Sequence, residues 1–198
     1  AMTWRGWASP IVDYGRELYA AWRLNQGDVL YRDIAWFNGP FSAWWNSFWF
    51  GLLGETGAAL VGVNLLLVVL AAALIARILA RAFDRTAAAV GVPVFLIMFA
   101  LAHPLAIGNY NFIAPYSHEL VHGALLGLAV LAIGDQWMRS NKLAWTALLG
   151  LLLGAAFLTK PETFVASAAA AGILWIMGSS SLRQSAAAAG LAIACACV

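Results

Sequence analysis

Long apolar runs constrain this chain more than any other feature. The first, at about 56–80, holds no charged residue before Arg77. A helix needs about 20 consecutive apolar residues to cross a hydrocarbon core of roughly 30 Å. Comparable runs follow at about 86–105, 119–138, 143–158 and 163–178, and a sixth begins near Ser185. With 63% of residues hydrophobic and 10% charged, the expected fold class is an all-α, polytopic membrane protein and not a water-soluble domain. The chain opens on Ala1-Met2 without an apolar leader and closes inside the run AGLAIACACV. A longer protein is therefore expected, with a helix before Ala1 and more after Val198.

Charge is scarce but concentrated. Asp13, Arg16, Glu17, Arg23, Asp28, Arg32 and Asp33 all fall within 13–40. A polar segment attached to an apolar body belongs at the membrane surface, and ionisable groups held there are candidates for chemistry. Ser9-Pro10 predicts a helix start, and Gly27 its end. Asp13 and Glu17, four apart, then share a face. Residues 28–40 read as irregular, closing on the turn Asn38-Gly39-Pro40. The aromatic stretch 41–54 is too short to span and suits an interfacial helix. Two regions result: a first loop, 1–55, and a transmembrane part, 56–198. A net charge of +2 points to neither nucleic acid nor an acidic partner. Ten tryptophans fit a chain in contact with lipid headgroups. Cys195 and Cys197 read as small packing residues, since nothing else completes a disulfide or metal site with them.

Lys and Arg in short loops orient the spans. Arg77, Arg81 and Arg85 follow the first run, Arg139 and Lys142 the third, and Arg183 the fifth. These turns alternate and are expected in the cytoplasm. Residues 1–55, the loop 106–118 and the turn Thr159-Lys160-Pro161-Glu162 then share the other side.

Four groups could carry chemistry. Asp13, with Glu17 and Asp33, could supply a general base, or these acids could simply pair with Arg16 and Arg32. His118-Glu119-Leu120-Val121-His122 reads as HExxH, which on a helix can bind zinc through both histidines with the glutamate as base. The same histidines could instead contact a phosphate or pack at a helix end, and Glu162 could serve as a third ligand. Lys160 is either a snorkelling residue or a cation for an anionic group. The loop from Asn109 to Tyr116 could bind a sugar through ring faces and amides, or be ordinary interfacial sequence.

VDYGRELYAAWRLNQGDVLYRDIAWFNGPFSAWWNSFWFGLLG resembles the first extracytoplasmic loop of the GT-C glycosyltransferases, in particular bacterial members similar to protein O-mannosyltransferases and to the aminoarabinose transferase of lipid A. An acidic residue opens a helix, a turn from Gly27 to Asp33 follows, and a Gly-Pro turn leads into an aromatic helix ending in LLG. LLGAAFLTKPETFVA is similar to a later helix of that family and its lysine-proline turn. The likeness is best from Asp13 to Glu55 and thins through the middle spans. It implies a GT-C-type helical bundle in the bacterial inner membrane, with a first loop of amphipathic helices and the active site facing the extracytoplasmic side. The implied partners are a polyprenyl-phosphate sugar donor, a lipid, polysaccharide or protein acceptor, and membrane lipids. Asp13 falls at the family's catalytic acid and Asp33 at a second polar loop position. Lys160 falls where the donor phosphate is met, with Arg16, Arg32, Tyr116, His118 and Glu162 as further donor-side residues. Many relatives carry Asp-Glu at the start of this helix. Here Tyr14 follows Asp13, so Glu17 is the candidate second acid. The resemblance fixes no cofactor, and dependence on a divalent metal ion is open, since some GT-C branches use one and others do not. The competing readings are a membrane zinc protease using His118, Glu119 and His122, and a non-enzymatic transporter or assembly subunit.

Overall fold

The computed structural model describes residues 14–102 and 111–178. There the chain is all-helical, with an isolated Leu30–Ile34 bridge in a loop. Seven α-helices follow in order: α1 (Tyr14–Asn25), α2 (Phe41–Leu53), α3 (Gly57–Ala82), α4 (Arg85–Phe95), α5 (His118–Ser140), α6 (Leu143–Phe157) and α7 (Pro161–Gly178). A π-helical stretch, Leu96–Ala100, continues α4. Asp13, the Ser9-Pro10 start, Asn109, the sixth run, Arg183, Cys195 and Cys197 lie outside the described residues.

Local signals account for most element ends. Gly27, at φ +95°, stops α1, and the Asp28 amide returns to the Arg23 carbonyl at 3.1 Å. A left-handed residue at this point costs glycine little. Thr56 caps α3 by accepting from the Ala59 amide at 3.2 Å. Asp84 caps α4 by accepting from Ala87 at 2.7 Å. Such caps satisfy amides that have no partner in the first turn.

Three helices, α3, α5 and α7, are long and apolar enough to cross a membrane, as a multi-pass protein requires. The runs expected to cross at 86–105 and 143–158 behave differently. α4 has 11 residues and its π-helical continuation 5, while α6 has 15. At about 1.5 Å per residue, each falls short of a roughly 30 Å core. Pro93 sits inside α4. It withholds a backbone donor, and the ladder widens to π spacing just after it. α6 ends in a turn in which Thr159 donates through its amide and hydroxyl to the Ala156 carbonyl.

The chain forms two compact units, Ala1–Val121 and His122–Val198. In the first, α1 and α2 pack around Ala20, Leu30, Ile34, Trp36 and Ala43. Ala21, Phe50 and Leu60 join them to α3. α4 returns along α3, and the segment after it is tied back by Phe112, whose amide reaches Ala100 O at 3.1 Å. The Phe112 ring meets Phe95 edge-on at 5.3 Å.

In the second unit, Val130, Trp137, Leu149, Leu153, Ala171 and Trp175 form the core. Glycines of α5 lie against α7 in constant register: Gly123 faces Thr163, Gly127 faces Ser167 and Gly134 faces Leu174. Met138 faces Gly178 at the far end. Each partner lies 40 residues further on, so α5 and α7 run parallel. Small residues allow this close approach, as in membrane helix pairs generally.

Candidate functional site

In the first unit a set of polar side chains has been withdrawn from solvent. Glu17, His118 and Glu119 are fully buried, and Asn64, Asn111 and Ser117 nearly so. They come from α1, from the second turn of α3, from the 111–117 segment and from the first turn of α5. Groups of this kind are buried at a cost of several kcal/mol unless partnered.

Their partners are specific. Arg16 Nη2 donates to Glu17 Oε1 at 2.7 Å and lies 3.8 Å from Glu119 Oε2. The Arg16 guanidinium is held between the faces of Trp36 at 4.9 Å and Phe37 at 4.8 Å, which favours the cation. Glu119 accepts from Asn38 Nδ2 at 2.8 Å and from Ser117 Oγ at 2.7 Å. His118 places Nδ1 at 3.5 Å from Glu17 Oε2 and Nε2 at 3.0 Å from Asn64 Nδ2. Asn64 also donates to Ile113 O at 2.9 Å. Asn111 Oδ1 accepts from the Ile113 and Ala114 amides at 2.9 and 2.7 Å, shaping the turn before α5. The Tyr14 ring stacks on His118 at 5.9 Å, and its hydroxyl reaches Gly57 O at 3.4 Å. Burial, and then the Glu17 charge, push the Tyr14 phenol above its ordinary range. Tyr31 is raised too, by burial and then by Glu119; its hydroxyl donates to Asn38 O at 2.6 Å.

The sequence-predicted residues divide accordingly. Arg16, Glu17 and His118 come together, with Glu119 beside them. Tyr116, half-buried, precedes His118 and Glu119 in the chain. Arg32 and Asp33 are exposed and pair with each other at 2.8 Å. The Val29 amide also donates to Asp33 at 2.9 Å. With Arg32 as the larger cause, these bonds lower the Asp33 carboxyl from 3.8 to about 2. In the described fold this acid therefore organises its own turn. Lys160 and Glu162 lie at the start of α7 in the second unit. The Lys160 carbonyl accepts from Thr163 Oγ1 at 2.9 Å, and Glu162 is exposed.

In the HExxH stretch, His118 and Glu119 are turned to protein partners. A zincin histidine must turn a ring nitrogen lone pair to the ion, whereas both His118 nitrogens face protein groups, and both Glu119 oxygens accept hydrogen bonds. His122 is buried one turn on, in the second unit. Among the described residues no three His, Cys, Asp or Glu side chains are grouped to hold a metal ion.

Sequence reasoning missed Asn64, Ser117 and the role of Asn38. A readable sign of Asn64 existed, since it is a lone amide in an otherwise apolar span. Comparison with family models, with curated proteins and with solved structures gives no match.

Proposed function

We propose that this chain belongs to a GT-C-type glycosyltransferase that moves a sugar from a polyprenyl-phosphate donor to an acceptor at the extracytoplasmic membrane face. The observation that supports this most is the Arg16–Glu17–His118–Glu119 cluster, in which both glutamates and the histidine are fully buried. It ties α1 of the first loop to α3 and to the start of α5, and it clamps Tyr14, the neighbour of Asp13 in sequence. A base in an enzyme must be held in place to act, and a misplacement of about 1 Å costs about 10²-fold in rate. In this reading Asp13 takes the proton of the acceptor hydroxyl as its oxygen attacks the anomeric carbon. The bond to the donor phosphate breaks with inversion. Glu17 and His118 hold the helix that follows the base in sequence. By the resemblance, Lys160 is the residue that meets the donor phosphate, whose departing charge a cation offsets.

The test is a transfer assay on the full-length protein with labelled polyprenyl-phosphate sugars, with and without chelator. Asp13→Asn is expected to lower transfer by about 10²–10⁴-fold, with elution and thermal unfolding of the protein unchanged. Full turnover by that variant removes Asp13 from the mechanism. Lys160→Ala is expected chiefly to raise the KM for donor, and unaltered donor kinetics removes its phosphate role.

A further inference from the structure

We infer that Asn64 is a positioning residue that sets the tautomer of His118 and, through it, the Glu17 carboxylate on the helix that follows the proposed base in sequence. The inference rests on the transferase reading for its consequence but on geometry for its substance. Asn64 Nδ2 lies 2.9 Å from the Ile113 carbonyl oxygen and 3.0 Å from His118 Nε2. Asn64, Ile113 and His118 are all essentially inaccessible to water. The Ile113 oxygen can only accept, so the Asn64 NH₂ must face it, because a flipped amide would set two oxygens against each other. An amide nitrogen carries two hydrogens. One goes to Ile113, and the second is directed to His118 Nε2. That nitrogen must then be the acceptor, which puts the ring hydrogen on Nδ1. Nδ1 faces Glu17 Oε2 at 3.5 Å, and Arg16 holds the other Glu17 oxygen at 2.7 Å. One amide in a candidate span therefore orders a series of groups, Asn64, His118, Glu17 and Arg16, that ends on the helix following Asp13. His118 carries Tyr14 on its face as well.

The experiment uses full-length protein with ¹⁵N-labelled histidine in lipid nanodiscs. The chain holds three histidines, and His118→Gln assigns the signal. At neutral pH the native ring is expected to be protonated on Nδ1 and bare on Nε2. Asn64→Leu is expected to release that preference. Asn64→Asp, which keeps the shape but accepts instead of donating, is expected to put a hydrogen on Nε2 as well as on Nδ1, since the ring then stands between two carboxylates, and serves if the leucine variant does not fold. In the transfer assay both variants are expected to lose about 10²-fold in kcat, with KM for the donor within about twofold, the pattern of lost positioning and not of lost donor binding. A native ring protonated on Nε2 overturns the inference, as does a ring unchanged by either substitution. A tautomer that follows residue 64 while kcat stays native removes the positioning role. If the tautomer follows residue 64 and even native protein transfers no sugar, the transferase reading fails and the Asn64–His118 assignment stands.

Discussion

Glu17 and Asp33 were both legible as candidate acids, yet their surroundings give them different work. Glu17 has no exposed surface, and its charge is tolerated because Arg16 and His118 meet it. The pairing with Arg16 was one of the two readings the sequence offered, although adjacent residues on a helix do not ordinarily face each other. It forms because the arginine side chain is drawn back between Trp36 and Phe37, two residues whose position depends on how the 28–40 loop folds. Glu17→Ala leaves a partly buried guanidinium short of its anion. It is expected to cost about 3 kcal/mol, the lower end for one broken member of a buried pair, measured by denaturant unfolding in detergent. Because Arg16 keeps Glu119 at 3.8 Å, Glu17→Gln is expected to cost less than Glu17→Ala. Asp33 makes a prediction about pH. Its carboxyl is depressed in the fold, from 3.8 to about 2. Its stabilisation of the turn is thus complete above about pH 4 and is lost as pH falls through about 2. The Val29 amide proton, bonded to Asp33, is expected to titrate in NMR with a midpoint near 2. A midpoint at the ordinary 3.8 means that the Arg32 pair does not persist in solution.

At the scale of elements, hydrophobic run length located α3, α5 and α7 to within a few residues, and Gly27 marked the end of α1. Helix length was less legible at α4, where Pro93 and the π-helical turns interrupt an unbroken apolar run. Which helices touch was not legible at all, since one apolar face resembles another. Gly123 and Gly127 form a G-x-x-x-G spacing that marks a close-packing face, but only the structure names its partner as α7. The register makes a graded prediction. A Cβ at residue 123 would come within 2.6 Å of Thr163 Cβ, an atom that cannot move without its helix. At residue 134 the obstacle is the tip of Leu174, which can change rotamer. Gly123→Ala is therefore expected to destabilise the second unit by about 1–3 kcal/mol through overpacking. Gly134→Ala is expected to cost distinctly less, part of its penalty being offset by the better helix propensity of alanine. Equal costs in detergent unfolding would mean that the two helices do not keep this register.

For the whole molecule, the chain carries its own signal for which side of the membrane each loop occupies. Arg77 and Arg81 close α3, Arg85 opens α4, and Arg139 and Lys142 flank the α5–α6 turn, whereas the first loop spreads its arginines over a longer stretch and couples them to acids. Arg16 holds Glu17, Arg23 pairs with Asp28, and Arg32 with Asp33. Three of the four arginines before α3 are thus matched by carboxylates within the fold. Topology nevertheless depends on Lys and Arg near the spans and little on Asp and Glu, so it is the clustering beside α3 and α5 that decides. The site was legible only in part for a related reason. Charged residues stand out in an apolar chain, but the partners that complete the cluster, Asn38, Asn64 and Ser117, are neutral and come from three separate stretches. Orientation can be settled by placing single cysteines at exposed positions, after Cys195→Ser and Cys197→Ser. Ala35, Phe83 and Leu143 are all exposed, in the first loop, the α3–α4 turn and the start of α6. In intact cells a membrane-impermeant maleimide is expected to label Ala35→Cys and to spare Phe83→Cys and Leu143→Cys until the membrane is opened. The opposite pattern would put the Glu17–His118 cluster on the cytoplasmic side. Extracytoplasmic use of a polyprenyl-phosphate sugar at that cluster would then be impossible, whatever its side chains could do.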